Sequence, residues 1–161
     1  MTLKKTNKEP LATENQAEPE TVDNPFTTLL IASAPKLSNK STGKVGFEIA
    51  LNTEDKLRYI RLTSNDSGGL FSKEWVKLDD INTLLESLPK DQPFKSSVFK
   101  SIIKGGSANN TSFISAVLRC DEVALIIKSD KSQYLHLPHP LLAKRMELLN
   151  NLKPIESPSK K

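Results

Sequence analysis

Hydrophobic and polar positions alternate in several short stretches of the chain, and two later stretches change to a helical period. The clearest alternation covers 45–51, where every second residue is apolar. A period of two is typical of a strand with one buried face. Over 76–88 the apolar residues recur at three- and four-residue spacing, which predicts a helix that ends before Pro89. A second stripe of this kind predicts another helix over 141–152.

Each predicted helix follows a similar series of predicted strands, which indicates an internal repeat. The strands of the first half are 26–33, 45–51, 57–63 and 70–72, and those of the second half are 94–104, 112–119, 123–128 and 133–137. Segment 94–104 fits helical spacing as well, but the Gly105-Gly106-Ser107 turn after it favours a strand hairpin. We therefore predict an α+β fold of two β-β-β-β-α repeats, with antiparallel sheets and two helices around one shared core.

The predicted repeats belong to one domain that leaves both ends of the chain outside. The domain covers 25–153, with repeat 1 over about 25–89 and repeat 2 over about 94–153. Residues 1–24 and 154–161 are polar and lack apolar periodicity, so we predict disordered tails.

Charge and cysteine content narrow the functional classes only slightly. The formal net charge is +4 and the pI is about 9.1, which permits nucleic-acid binding without requiring it. Cys120 is the single cysteine, so no intramolecular disulfide can form and a reducing compartment is favoured. The chain shows no secretory leader and no apolar run of membrane-spanning length, so we predict a cytoplasmic protein without membrane contact.

Basic and aromatic residues on the predicted strands are the best candidates for binding chemistry. Single-stranded nucleic acids are bound by cations that contact phosphates and by flat side chains on which bases stack. Tyr59 with Arg61, and Tyr134 near Lys131, combine both properties. The alternative for each residue is a solvated charge or a core aromatic. The candidate nucleic-acid-binding residues are Lys56, Arg58, Tyr59, Arg61, Phe71, Lys73, Lys100, Lys104, Arg119 and Lys128.

Other motifs give weaker signals. His136, His139 and Cys120 lack the paired spacing of a metal site, so we predict no metal and no cofactor. Gly105-Gly106-Ser107 lacks the Gly-Lys-Ser/Thr of a phosphate loop and is predicted to precede no helix, so we interpret it as a hairpin turn. Trp75 is predicted to anchor the sheet to the first helix. No catalytic motif can be assembled, so we predict a protein that is not an enzyme.

The order of elements over 26–152 resembles the group of Whirly, PUR-repeat and positive-cofactor transcriptional coactivator proteins. The passage Gly-Gly-Leu-Phe-Ser-Lys-Glu-Trp at 68–75 is similar to the coactivator pattern of a Gly-led strand, a turn and a Trp that enters the helix. The resemblance implies two interlocking sheet-and-helix units that bind single-stranded DNA or RNA.

The leading hypothesis is therefore a non-enzymatic protein that binds single-stranded nucleic acid with little sequence preference. The alternative is a protein–protein interaction module or adaptor subunit with the same fold, with a homo-oligomer or another protein as the partner. A third class, an enzyme acting on a small ligand, would require a deep pocket that holds perturbed titratable groups.

Overall fold

In the computed structural model, the described residues are 24–38, 40, 42–66 and 68–155. The predicted tails lie mostly outside this part of the chain, so their disorder stays a prediction. The elements in chain order are β1 Phe26–Pro35, β2 Lys44–Asn52, β3 Arg58–Asn65, β4 Val76–Lys77, α1 Leu78–Glu86, β5 Phe94–Lys95, a 3-10 helix Ser96–Ser101, α2 Asn109–Arg119, β6 Ile126–Ser129, β7 Ser132–Pro138 and α3 Leu142–Asn150.

The first half forms four strands and a helix in the predicted order, with three of the four strands at the predicted positions. Strands β1 to β4 make an antiparallel sheet in chain order, and α1 follows directly. The predicted strands 26–33, 45–51 and 57–63 are confirmed, whereas the fourth strand is Val76–Lys77 and not 70–72. Segment 70–72 is instead an irregular connection that follows two glycines with positive φ, Gly68 and Gly69.

One hydrophobic core joins both halves. Alternate residues of β2 and β3, such as Phe47, Ile49 and Ile60, are buried on the inner face of the sheet. The predicted stripes of α1 and α3 reach the same core: Leu78, Ile81, Leu85, Met146 and Leu149 are buried in it, and Leu142 packs against it. The predicted shared core is therefore confirmed, and so is the α+β class with antiparallel sheets.

The second half differs from the predicted order. Its sheet has three strands in the order β5-β7-β6, all antiparallel. The predicted strand 94–104 is a two-residue strand followed by the 3-10 helix, and the predicted strand 112–119 is wrong because these residues belong to α2. Only the last two strands and α3 match the expected positions. The repeat is not confirmed.

The segment of α2 was predicted as a strand because its central residues, 113–118, are apolar at every position except Ser115. Residues 113–118 are all buried, so the periodicity that distinguishes a helix from a strand is hidden. The 11-residue segment contains neither Gly nor Pro, which suits a helix better than a short strand. The loop Gly105-Gly106-Ser107 before α2 was interpreted as a hairpin turn with no helix behind it, and that interpretation is wrong because α2 begins at Asn109.

Among the described residues, no helix is long and apolar enough to cross a membrane.

Candidate nucleic-acid interface

The outer face of the four-stranded sheet points away from the hydrophobic core and brings together side chains from all four strands. Cross-strand register places Glu48 opposite Arg61 and places Tyr59 between Ala50 and Lys77. Val76 is buried opposite Ile60, so its neighbours in sequence project outward. The outer face consists of Phe26, Thr28, Ile31, Glu48, Ala50, Tyr59, Arg61, Trp75 and Lys77.

Three aromatic rings and a guanidinium lie against one another on this face, and we call them the aromatic cluster. Phe26 and Trp75 stack with ring centroids 4.1 Å apart and planes inclined by 12°. Tyr59 meets Phe26 edge to face at 5.3 Å. The Cζ atom of Arg61 lies 4.4 Å from the centroid of Trp75, which is the geometry of a cation–π contact. All four side chains are partly exposed, but Phe26 and Arg61 cover the two faces of Trp75, so the surfaces left for a ligand are the outer sides of Phe26 and of the Arg61 guanidinium.

Arg61 is held in place by a carboxylate. Its Nε and Nη2 donate to Oε1 of Glu48 at 3.1 and 2.9 Å, and Glu48 also accepts from the hydroxyl of Thr28 at 2.5 Å. Glu48 is almost fully buried, whereas about a third of the Arg61 side chain is exposed. Since a guanidinium has five N–H donors, the pair leaves donors and one charged plane for a ligand.

Tyr59 is the other end of the cluster. Its hydroxyl donates to Oδ2 of Asp55 at 2.5 Å. This bond raises the pKa of Tyr59 to about 12 and lowers the pKa of Asp55. Lys77 stands opposite Tyr59 and contributes to the lowered pKa of Asp55. The hydrogen bond ties the ring of Tyr59 to the β2–β3 turn.

The two candidate residues that precede Tyr59 lie elsewhere. Lys56 is exposed in the β2–β3 turn with φ of 65°, so it is not on the strand. Arg58 begins β3 and lies two residues before the buried Ile60, so it projects from the inner face of the sheet and not from the outer one. Its Nη2 donates to the carbonyl of Leu152 at 3.0 Å. Arg58 therefore ties the segment after α3 to the sheet.

The remaining predicted site residues are scattered over the molecule. Phe71 packs at the core boundary, 6.4 Å from the ring of Phe113, and Lys73 is exposed in the connection before β4. Three of the predicted lysines are exposed in the second half: Lys100 on the 3-10 helix, Lys104 on the loop after it and Lys128 on β6. Of the ten predicted residues, the outer face brings together Tyr59 and Arg61.

Arg119 is half-buried and makes contacts within the fold. It donates to the carbonyls of Gln133 and Leu135 and to Nδ1 of His136. The Nε2 atom of His136 lies 2.8 Å from the hydroxyl of Ser96, so both ring nitrogens have partners.

Burial raises the pKa of Cys120 to about 12. No group of three His, Cys, Asp or Glu residues that could hold a metal ion occurs in the described part of the chain.

Of the outer-face residues that bear an aromatic ring or a cation, Phe26, Trp75 and Lys77 are not among the predicted site residues. Trp75 was expected to anchor the sheet to the helix, whereas it lies outside the hydrophobic core. The alternation of Trp75 and Lys77 around an apolar Val76 is a local signal for one shared face. For Phe26 no local signal exists, because its partner is about 50 residues away in the chain.

Comparison of the chain with known protein families, with curated proteins and with solved structures finds no match.

Proposed function

We propose that this protein binds single-stranded DNA or RNA on the outer face of the four-stranded sheet, with little sequence preference and without catalysis. The observation that carries the proposal is the aromatic cluster, in which Trp75 lies between Phe26 and Arg61 and the cluster remains partly exposed on the outer face of the sheet. The β-β-β-β-α order of the first half supports it, since that is the unit of the proteins the chain resembles.

Stacking is expected to supply most of the affinity. A base that stacks on an aromatic ring contributes about 1–3 kcal/mol, and every base has a face that can do so. Arg61 can hold a base on its guanidinium plane or contact a phosphate. The charge on this face is small, because Glu48 neutralises Arg61 and only Lys77 adds a further cation. Weak dependence on salt is therefore a specific consequence of the proposal.

A labelled oligonucleotide titrated at several salt concentrations tests this function. If Arg61 and Lys77 each contact one phosphate, the slope of log K against log salt is about −1.4, at roughly 0.7 per contact for single strands. Lys77→Gln should reduce the slope by about half. Trp75→Leu should weaken binding at every salt concentration, and Trp75→Phe should retain most of it.

The matched control is Lys90→Gln, which removes an exposed lysine beside α3 from a different surface. We expect this variant to bind like the wild-type protein. If wild-type protein shows no binding to single strands at low salt, or if the Lys77 and Lys90 variants lose the same amount, the proposal is wrong.

A second candidate function is protein binding along β1. This ten-residue strand is at the edge of its sheet, and Ile31 on it is 66% exposed. The N–H of Ile155 already occupies the carbonyl of Thr28 near the start of this edge, so a partner strand would have to pair with the part of β1 around Ile31. An exposed strand edge with apolar side chains accepts a strand from a partner chain. Concentration-dependent association that Ile31→Lys abolishes would favour this function.

A further inference from the structure

An open groove of about 520 Å³ lies in the second half of the molecule, where several elements meet. Its apolar surface comes from Leu37 of the β1–β2 connection and from Tyr134 and Leu135 of β7. Lys95 of β5 and Ser96 at the start of the 3-10 helix add polar groups. A mostly apolar depression of this size, on which a few polar groups converge, is typical of a site for a small molecule.

A buried histidine behind the groove fixes the hydrogen bond that Ser96 makes. Arg119 donates to Nδ1 of His136 from Nε at 3.1 Å and from Nη2 at 3.0 Å, so Nδ1 carries no proton. Burial and the charge of Arg119 lower the pKa of His136 to about 4, so the ring is neutral and its one proton is on Nε2. The Oγ atom of Ser96 lies 2.8 Å from Nε2 and accepts this hydrogen bond.

The hydroxyl of Ser96 is therefore left as a donor. Its oxygen accepts from His136, and its hydrogen has no acceptor among the described residues. Ser96 is half-buried and lines the groove, so a ligand there can accept from it. The same arrangement excludes a nucleophilic serine, because a ring nitrogen that already carries a proton cannot take the proton of Ser96.

The charges around the groove favour an anion. Lys95 is exposed at its rim, and no Asp or Glu is among the described residues that line it. Arg119 is half-buried behind His136 and forms no ion pair within the described part of the chain. Asp121 and Glu122 follow Arg119 in sequence but line a different cavity. Because hydrogen bonds in a chain polarise one another, the charge of Arg119 strengthens the donor at the groove end of the chain.

We propose that this groove binds a small carboxylate with an apolar body. One carboxylate oxygen accepts from the hydroxyl of Ser96, and the charge pairs with Lys95. The apolar body lies against Leu37, Leu135 and the ring of Tyr134. The proposal does not rest on nucleic-acid binding by the outer face, and it can be tested without any nucleic acid.

An NMR titration of isotope-labelled full-length protein with benzoate tests the site, with chloride as the balancing anion at constant ionic strength. We expect saturable shifts, in the millimolar range, of the amide resonances of residues 95–97 and 132–135. Benzamide has nearly the same shape without the charge and should bind several-fold more weakly. Absence of saturable shifts with benzoate, shifts confined to other residues, or equal affinity for benzamide would overturn the proposal.

The proton of His136 is observed in the same experiment and tests the chain of hydrogen bonds. We expect a nitrogen–proton correlation for Nε2, with a resonance that moves as benzoate saturates the groove. A proton on Nδ1 would contradict the role of Ser96 as a donor. Ser96→Ala should weaken benzoate binding several-fold, whereas Ser97→Ala, which removes the neighbouring hydroxyl of the same groove, should leave it unchanged.

Substitutions of Lys95 keep the test conclusive if Ser96→Ala does not fold, since that variant leaves the Nε2–H of His136 without its acceptor. Lys95 is exposed, so a thermal melt should show its variants folded. Lys95→Gln should weaken binding several-fold, and Lys95→Glu should abolish it. Lys90→Gln is the control on a different surface and should bind like wild type. Equal binding by the Glu and Gln variants of Lys95, or by wild type and a folded Ser96→Ala variant, would overturn the proposal.

Discussion

Arg58 and Arg61 lie on the same strand but project from opposite faces of it, and their surroundings differ accordingly. Arg61 is on the outer face beside Trp75, where a ligand can reach it. Arg58 donates to the carbonyl of Leu152 from a partly buried position, and its Nε has no partner among the described residues. Arg61 is therefore suited to binding a ligand, and Arg58 is suited to holding the segment after α3.

Replacing Arg58 tests this division of roles. Arg58→Met keeps the aliphatic stem but removes the bond to Leu152, and we expect a loss of about 1–2 kcal/mol because the donor is charged. The melting temperature should fall by several degrees while oligonucleotide binding is unchanged. Lys56→Met, two residues earlier in the exposed turn, is the control and should alter neither quantity. A normal melting temperature with impaired binding would show that Arg58 belongs to the interface.

His136 should make stability depend on pH. It is fully buried, and burial together with the charge of Arg119 lowers its pKa from 6.5 to about 4. Between these values the unfolded chain binds a proton that the folded protein does not, so stability is lost as the pH falls from about 6.5 to 4. The loss amounts to at most about 3 kcal/mol.

Urea denaturation of wild-type protein and His136→Gln across that pH range measures the effect. The advantage of the wild type over the variant should shrink as the pH falls. His139→Gln provides the comparison, since His139 is partly exposed and should show a smaller change. A constant difference between wild type and the His136 variant from pH 7 to 4 would contradict the buried neutral histidine.

At the scale of elements, the sequence predicted well those segments that have one buried face. β3 and α1 each have one buried side and one more exposed side, so their period of two or of 3.6 is visible in the residues. α2 is buried on nearly every side, and short apolar runs of this kind do not reveal their period. Its 11-residue length without Gly or Pro was the remaining signal.

A substitution in α2 has opposite expected effects in a helix and in a strand. Thr111 lies in the first turn, partly exposed, and its side chain has no hydrogen bond within the described residues. Thr→Ala favours a helix by about 0.5 kcal/mol and disfavours a strand. We therefore expect Thr111→Ala to raise the urea midpoint, with Thr42→Ala in the exposed β1–β2 connection as a control outside any helix. A lowered midpoint for Thr111→Ala would favour the strand.

At the scale of the whole molecule, the sequence predicted the class of fold and the single core but only part of the proposed binding face. Tyr59 and Arg61 were identified because they are close in sequence. Phe26 joins them only through the pairing of β1 with β2 and of β2 with β3. Such cross-strand register depends on the packing of distant residues, and one sequence does not reveal it.

The emission of Trp75 during titration with a single strand tests the central claim most directly. Trp75 is the sole tryptophan of the chain and stands in the middle of the aromatic cluster. If bases stack on the outer face, oligothymidylate should quench its fluorescence to saturation, and a duplex of equal length should do so far less. Saturable binding of a labelled strand with unchanged Trp75 emission would place the interaction elsewhere and contradict the account.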